Sequence, residues 1–116
     1  MAMMTNNIFL KIVNREIPAN IVHEDEWCVA FHDVHPQAPV HVLLIPKKVI
    51  RTHADLTPED AALLGHLHVT AATLAKQLGL VAGYRLVLNC DEAGGQTVPH
   101  LHLHLLGGRA FAWPPG

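Results

Sequence analysis

The run His100-Leu101-His102-Leu103-His104-Leu105-Leu106 constrains this chain more than any other feature. An extended strand turns its side chains to opposite faces at every step, so period-two alternation sorts residues by face. The run therefore reads as the last strand, His100 to Leu106, with three imidazoles on one side and Leu101, Leu103 and Leu105 on the other. The leucine side has to pack on a core. The histidine side has to be explained by chemistry or by solvent.

One histidine on a polar face needs no special account. Three at strict alternation, just after a Gly-Gly loop and in a chain with ten histidines among 116 residues, favour a functional row. Neighbouring imidazoles on a straight strand start roughly 7 Å apart and the outer two roughly 13 Å apart. Two of them can chelate a metal, but three converging on one ion is geometrically awkward. A zinc site would need help from Cys28, Cys90 or His41. No metal or other cofactor is therefore expected. Phosphoryl chemistry suits the row better. A neutral imidazole is an adequate nucleophile at phosphorus, and its phosphoramidate adduct is labile. Histidine's ordinary pKa near ~6.5 lets neighbours hold different protonation states at neutral pH.

The rest of the chain reads as a small α+β unit. Asn6 to Glu16 has apolar residues at helical spacing, with Thr5 or Asn6 as cap and Pro18 beyond its end. Ile21 to His23 and Cys28 to Phe31 read as a hairpin turned by Glu24-Asp25-Glu26, and His41 to Ile45 as a strand stopped by Pro46. Thr57-Pro58-Glu59-Asp60 opens a helix that runs to about Leu78, with Gly79 as terminator. That helix is apolar on more than one face, and in a domain this small the reading is a dimer interface, with a helix fully packed on its own sheet as the alternative. Tyr84 to Asn89 is a further strand, and Asp91 to Pro99 a loop. The expected architecture is a five-stranded, mainly antiparallel sheet with two helices, in one domain spanning residues 1–116.

Composition removes several function classes. A formal charge of −2 and no basic run longer than Lys47-Lys48 argue against a general nucleic-acid binder. No apolar run approaches the roughly 20 residues of a membrane helix, and the first ten residues lack the layout of a secretory signal. Two cysteines are too few for a disulfide framework, and Cys28 reads as a buried free thiol. A reducing, cytoplasmic setting is expected.

Other candidate site residues follow. Gly94-Gly95 lets backbone N–H groups approach a phosphate, with Gln96 and Thr97 as side-chain donors. Asp33 follows a strand and can accept from ribose hydroxyls or simply close a turn. Asn89 ends a strand, and His41 begins one. His66 and His68 fall on the long helix without an evident chemical role, and His23, His32, His35 and His53 give no signal.

The run His100 to Leu106 resembles the signature of the histidine triad (HIT) family, His-φ-His-φ-His-φ-φ with φ apolar. Asn7-Ile8-Phe9, Glu16-Ile17-Pro18, Phe31-His32-Asp33, Pro36 to Pro39, His41, Ile45 to Lys48, Gly94-Gly95-Gln96 and Trp113 to Gly116 look like its Hint branch. The resemblance implies a homodimer with joined sheets and the long helix in the interface. It implies a purine nucleoside phosphoramidase in which His102 attacks the α-phosphorus and water then releases the nucleoside monophosphate. His104 would assist the leaving group, His100 would orient His102 and bind a phosphate oxygen, and His41 would support them. Asp33 would take the ribose. Ile8, Phe9, Ile12, Phe31 and Leu43 would line the purine slot, Asn89, Gln96 and Thr97 would hold phosphate, and Trp113 would reach the neighbouring subunit. Thr97 stands where this branch commonly has serine, Pro99 removes a backbone donor, and Val49 stands where close relatives often have histidine. A dinucleoside polyphosphate hydrolase, or a nucleotide-binding or protein-interaction module with incidental catalysis, are the competing functions.

Overall fold

The computed structural model describes residues 2–116. It contains the helix α1 (Ile8–Val13), the hairpin β1 (Ile21–Glu24) and β2 (Cys28–His32), the strand β3 (Val40–Pro46), the long helix α2 (Ala61–Gln77), and the strands β4 (Tyr84–Val87) and β5 (Leu103–Gly107). The five strands form one sheet in the order β1-β2-β3-β5-β4, and every neighbouring pair is antiparallel.

Two apolar clusters hold the sheet between the helices. On one face Cys28, Ala30, Val42, Leu44, Leu101, Leu103 and Leu105 pack against Leu63, Leu67, Ala71 and Leu74 of α2. On the other, Phe31, Leu43 and Ile45 pack with Val98 and with Phe9 and Ile12 of α1. The register Ile21↔Phe31↔Leu43↔His104↔Val87 puts the third histidine in that second face. The apolar breadth of α2 is thus largely spent on its own sheet, while Val69, Val81 and Tyr84 stay exposed.

Element ends differ from the sequence reading for local reasons. The cap of α1 is Asn7, whose Oδ1 accepts from the N–H of Leu10 at 2.9 Å, and not Thr5 or Asn6. The helix is shorter than expected because Arg15 turns the chain through φ +61° ahead of Pro18. Thr57 and Asp60 form the expected capping box, but Pro58–Asp60 is a 3-10 turn before α2 starts. Gly79 ends α2 at φ +76°.

The largest correction concerns the last strand, which begins at Leu103 and not at His100. Pro99 has no N–H to give. The N–H of His100 turns back to the carbonyl of Val98 at 2.8 Å, and that of Leu101 goes to the carbonyl of Ile50 at 2.7 Å. These donors leave the β3 ladder, so only His104 of the three histidines lies in regular strand. The alternation of faces survives, because Leu101 keeps its place in the α2-side cluster.

Candidate active site

Each ring of the histidine row is fixed by a different partner, and together the partners determine where the protons are. His100 is fully buried. Its Nε2 lies 2.7 Å from the carbonyl of Pro46, which can only accept, so Nε2 carries the proton. Its Nδ1 then accepts from the side-chain amide of Asn7 at 2.9 Å. With both nitrogens engaged and no exposed surface, His100 cannot bind a phosphate oxygen, and that expectation is withdrawn. What it offers the next histidine is its backbone carbonyl.

That carbonyl accepts from His102 Nδ1 at 2.7 Å. The proton of neutral His102 is therefore on Nδ1, and Nε2 keeps an unshared pair. The ring packs edge-on to Phe9 at 4.9 Å between centroids and stands 5.0 Å from the ring of His104. This is closer than the roughly 7 Å expected for a straight strand, because His102 lies outside the regular ladder.

The third ring is set by a longer chain of donors. The N–H of Gln37 donates to His41 Nδ1 at 3.0 Å, leaving the proton of neutral His41 on Nε2. His41 Nε2 lies 2.8 Å from His104 Nδ1 and donates to it. His104 consequently carries its proton on Nε2, a buried atom with no hydrogen-bond partner among the described residues. Leaving a buried donor unpaired is costly, and such groups are retained where a ligand completes them. The site thus presents one unshared nitrogen pair on His102 and one unused N–H on His104.

Burial keeps these rings neutral. It lowers the pKa of His41, His100 and His102 below the ordinary histidine value, and that of His104 to about 4. The Asp33 carboxylate opposes the shift at His41, His102 and His104 without overcoming it. Asp33 Oδ1 accepts from the N–H of His35 at 2.8 Å, and Oδ2 stands 3.5 Å from His41 Nε2. One oxygen therefore closes a turn and the other faces the histidine chain.

The remaining candidates divide. Phe9, Ile12, Phe31 and Leu43 come together beside His102, with Ile8 at their margin. Thr97 is half-buried, and its carbonyl accepts from the N–H of Met4 at 2.7 Å. Asn89 lies beyond the end of β4, with its amide about 3.8 Å from where a Cβ on Gly95 would sit. Gln96 departs from expectation. It has no exposed surface, its Oε1 accepts from the N–H of Asp91, and its Nε2 donates to the carbonyls of Arg51 and Val98. Its polar atoms are spent holding the loop, so the phosphate role is withdrawn. Trp113 is 83% exposed on the C-terminal tail and stacks on no triad ring of its own chain. The sequence reading missed Asn7, whose capping role alone was accessible from local pattern.

Open cavities of about 610, 420 and 350 Å³ lie away from His102. The smallest begins at Ile12 and runs along Arg15 to Ala19. Among the described residues two clusters carry metal-ligating atom types at close range: Asp33, His41 and His104, and separately His23, Asp25 and Cys28. Among the described residues no helix is long and apolar enough to cross a membrane.

A histidine with a free nitrogen pair stands beside a histidine with a free N–H, which places a nucleophile next to a proton donor. Residues 14–111 match the HIT domain model, and the chain belongs to that family. It is 60% identical to an uncharacterised HIT-like protein of Synechococcus elongatus, over 98% of this chain and the whole of that protein. Its fold superposes on a HIT family hydrolase from Legionella pneumophila with a TM-score of 0.94 at 52% identity, covering 96% of this chain and all of the other. A histidine triad nucleotide-binding protein from Candida albicans gives 0.80 at 30% identity, over 94% and 83% of the two chains. The five-stranded antiparallel sheet with two helices is the fold these proteins share. The chain is thus a HIT-domain protein with the fold of these relatives.

Proposed function

We propose that the chain, acting as one HIT unit over residues 1–116, hydrolyses purine nucleoside phosphoramidates or acyl-adenylates to the nucleoside monophosphate. The observation that carries this reading is the fixed proton on His102 Nδ1, which leaves Nε2 free to attack. The Nε2 pair adds to the α-phosphorus as the bond from phosphorus to the leaving nitrogen or acyl oxygen breaks. The His102 ring becomes cationic, and the Nδ1–H to carbonyl contact with His100 holds it. His104 Nε2–H faces the leaving group. Burial keeps that ring neutral in the free chain, so the proton given to the leaving atom is one that the substrate's anionic phosphate draws onto the His41–His104 pair. In the second half-reaction water adds to phosphorus, its proton returns to the pair, and the bond from phosphorus to Nε2 breaks.

Phe9, Phe31, Leu43, Ile8 and Ile12 form the apolar bed for the base in this reading, Asp33 takes the ribose, and Asn89 and Thr97 hold phosphate. A second copy of the chain would cover the exposed edge at Tyr84 and bring Trp113 to the neighbouring site. The names of its relatives support the nucleotide-hydrolase part of this reading, the Hint-like tail supports the homodimer, and the paucity of cysteine supports the cytoplasmic setting.

The test is turnover of an adenosine phosphoramidate by His102→Ala beside wild type, with mass spectrometry of quenched wild-type enzyme. The variant should lose turnover and still bind AMP, and wild type should carry one AMP. Unchanged turnover in the variant ends the mechanism. Faster cleavage of diadenosine triphosphate than of the phosphoramidate would transfer the reading to a dinucleoside polyphosphate hydrolase.

A further inference from the structure

The hairpin joining β1 and β2 gathers four groups that the phosphoryl chemistry does not use. Asp25 Oδ2 lies 2.7 Å from His23 Nε2 and 2.7 Å from His66 Nε2, a residue of α2. Cys28 Sγ stands 3.6 Å from the same oxygen. The ligand atoms of His23, Asp25 and Cys28 all lie within 4.8 Å of one another. We propose that His23, Asp25, Cys28 and His66 form a site for a borderline-soft divalent cation, Zn²⁺, that ties the β-hairpin to α2.

The donor set is what zinc selects: two imidazoles, a thiolate and a carboxylate, four in number for a tetrahedron. The frame is built beforehand. Asp25 Oδ1 accepts from the N–H groups of Trp27 and Cys28 at 2.7 and 2.9 Å, and the N–H of Asp25 donates to the carbonyl of Cys28 at 3.0 Å. Such outer contacts orient a ligating carboxylate. The spacing His23-x-Asp25-x-x-Cys28 supplies three ligands from one turn, and the helix supplies the fourth. Access is one-sided: the side chains of His23, His66 and Asp25 are 34%, 35% and 27% exposed, with buried Cys28 behind them. Cys28 belongs to the α2-side cluster, whereas His102 packs on Phe9 across the sheet, so this site is separate from the triad.

The 2.7 Å contacts are hydrogen bonds. Around zinc, ligand atoms stand about 3.3 Å apart, so each ring backs away from Asp25 by less than an ångström. His66 lies outside the group of atoms mutually within 4.8 Å, and it swings toward His23 and Cys28 to complete the tetrahedron. Loading breaks both hydrogen bonds to Asp25. Each neutral imidazole then carries its proton on Nδ1, and the Cys28 thiol gives its proton to solvent. Burial and the neighbouring Asp25 push that thiol up to about 12 in the free chain, so the metal has to displace a firmly held proton.

The experiment is a Co²⁺ titration of untagged full-length protein in a Cys90→Ser background, with zinc content measured in parallel. A near-ultraviolet thiolate-to-cobalt band should grow to one equivalent and be displaced by Zn²⁺. It should vanish in Cys28→Ser and weaken at least about tenfold in affinity in His66→Gln or Asp25→Asn, while His102→Ala leaves it intact. Those last two substitutions keep the test open if Cys28→Ser does not fold. Co²⁺ bound without a thiolate band, or a band insensitive to His66 and Asp25, overturns the site. The first result means that metal rests on the triad or on the surface, and the second that Cys28 binds it without the partners proposed here.

Discussion

His41 Nε2 lies 2.8 Å from His104 Nδ1, and this one hydrogen bond decides which way the buried His104 ring presents its proton. The two residues are diagonal neighbours across β3 and β5, since His41 pairs with Leu106 and His104 with Leu43. Both side chains therefore sit on one face, close enough to meet.

Acid stability follows from the neutrality of this row. His41, His100, His102 and His104 all have pKa values lowered chiefly by burial, His104 to about 4 from 6.5. The unfolded chain takes up protons near pH 6.5 and the folded chain refuses them until lower pH. Their contribution to stability is thus full above about pH 6.5 and is lost as pH falls toward 4. The melting temperature should be highest at or above neutrality and decline through that window, with a shallower decline in His104→Gln. A melting temperature constant from about pH 7 to about pH 4.5 would contradict buried neutral rings.

Asn7 couples the first helix to the triad. Its Oδ1 caps α1 and its Nδ2–H donates to His100 Nδ1. Asn7→Asp keeps the cap acceptor but sets a carboxylate against an unprotonated nitrogen, which favours a proton there and disturbs the carbonyl that orients His102. Turnover number should fall about tenfold, equivalent to about 1.4 kcal/mol in the barrier, with KM little changed. Asn7→Ala should also lose about 1 kcal/mol of stability with the cap. If the aspartate variant has wild-type kcat, the coupling is absent.

Gln96 should behave as a structural residue. Removing a buried amide that makes three hydrogen bonds is expected to cost about 2–4 kcal/mol in urea unfolding. The KM of the folded fraction of Gln96→Ala should stay near wild type. The opposite pattern, a raised KM at unchanged stability, would return Gln96 to the phosphate.

Two glycines give opposite expectations. Gly108 has φ +88°, and a Cβ there would stand 2.8 Å from Pro39 Cβ, part of a ring that cannot swing away. Gly108→Ala should destabilise by about 1–3 kcal/mol. Gly65 lies inside α2, and a methyl group added there would meet nothing within 4 Å, so Gly65→Ala should stabilise by about 0.5–1 kcal/mol. Thermal melts of the two variants should move in opposite directions.

The alternation of leucine and histidine made one sheet face readable, because period two is a local property of extended chain. The turns at Pro18, Thr57-Pro58 and Gly79 were readable for the same reason. The start of the last strand was not, since it depends on Leu101 giving its N–H to Ile50, a partner 51 residues earlier. Gln96 was misread because an amide before a run of histidines looks the same whether it faces phosphate or closes its own loop. Asn7 meets His100 across 93 residues, and Asp25 meets His66 across 41. Each looks like an ordinary cap, turn or helix-surface residue until the fold brings it to its partner.

Leu103 and Leu105 lie in the core beside α2 while His104, between them, faces α1. A slip of one position against β3 would drive the imidazole inward and expose the leucines. No half-correct arrangement of this segment keeps both a dry interior and a working row of rings. A slipped chain therefore loses its core together with its row of rings, so misregistered molecules are expected to unfold and not to persist as folded protein with a scrambled site.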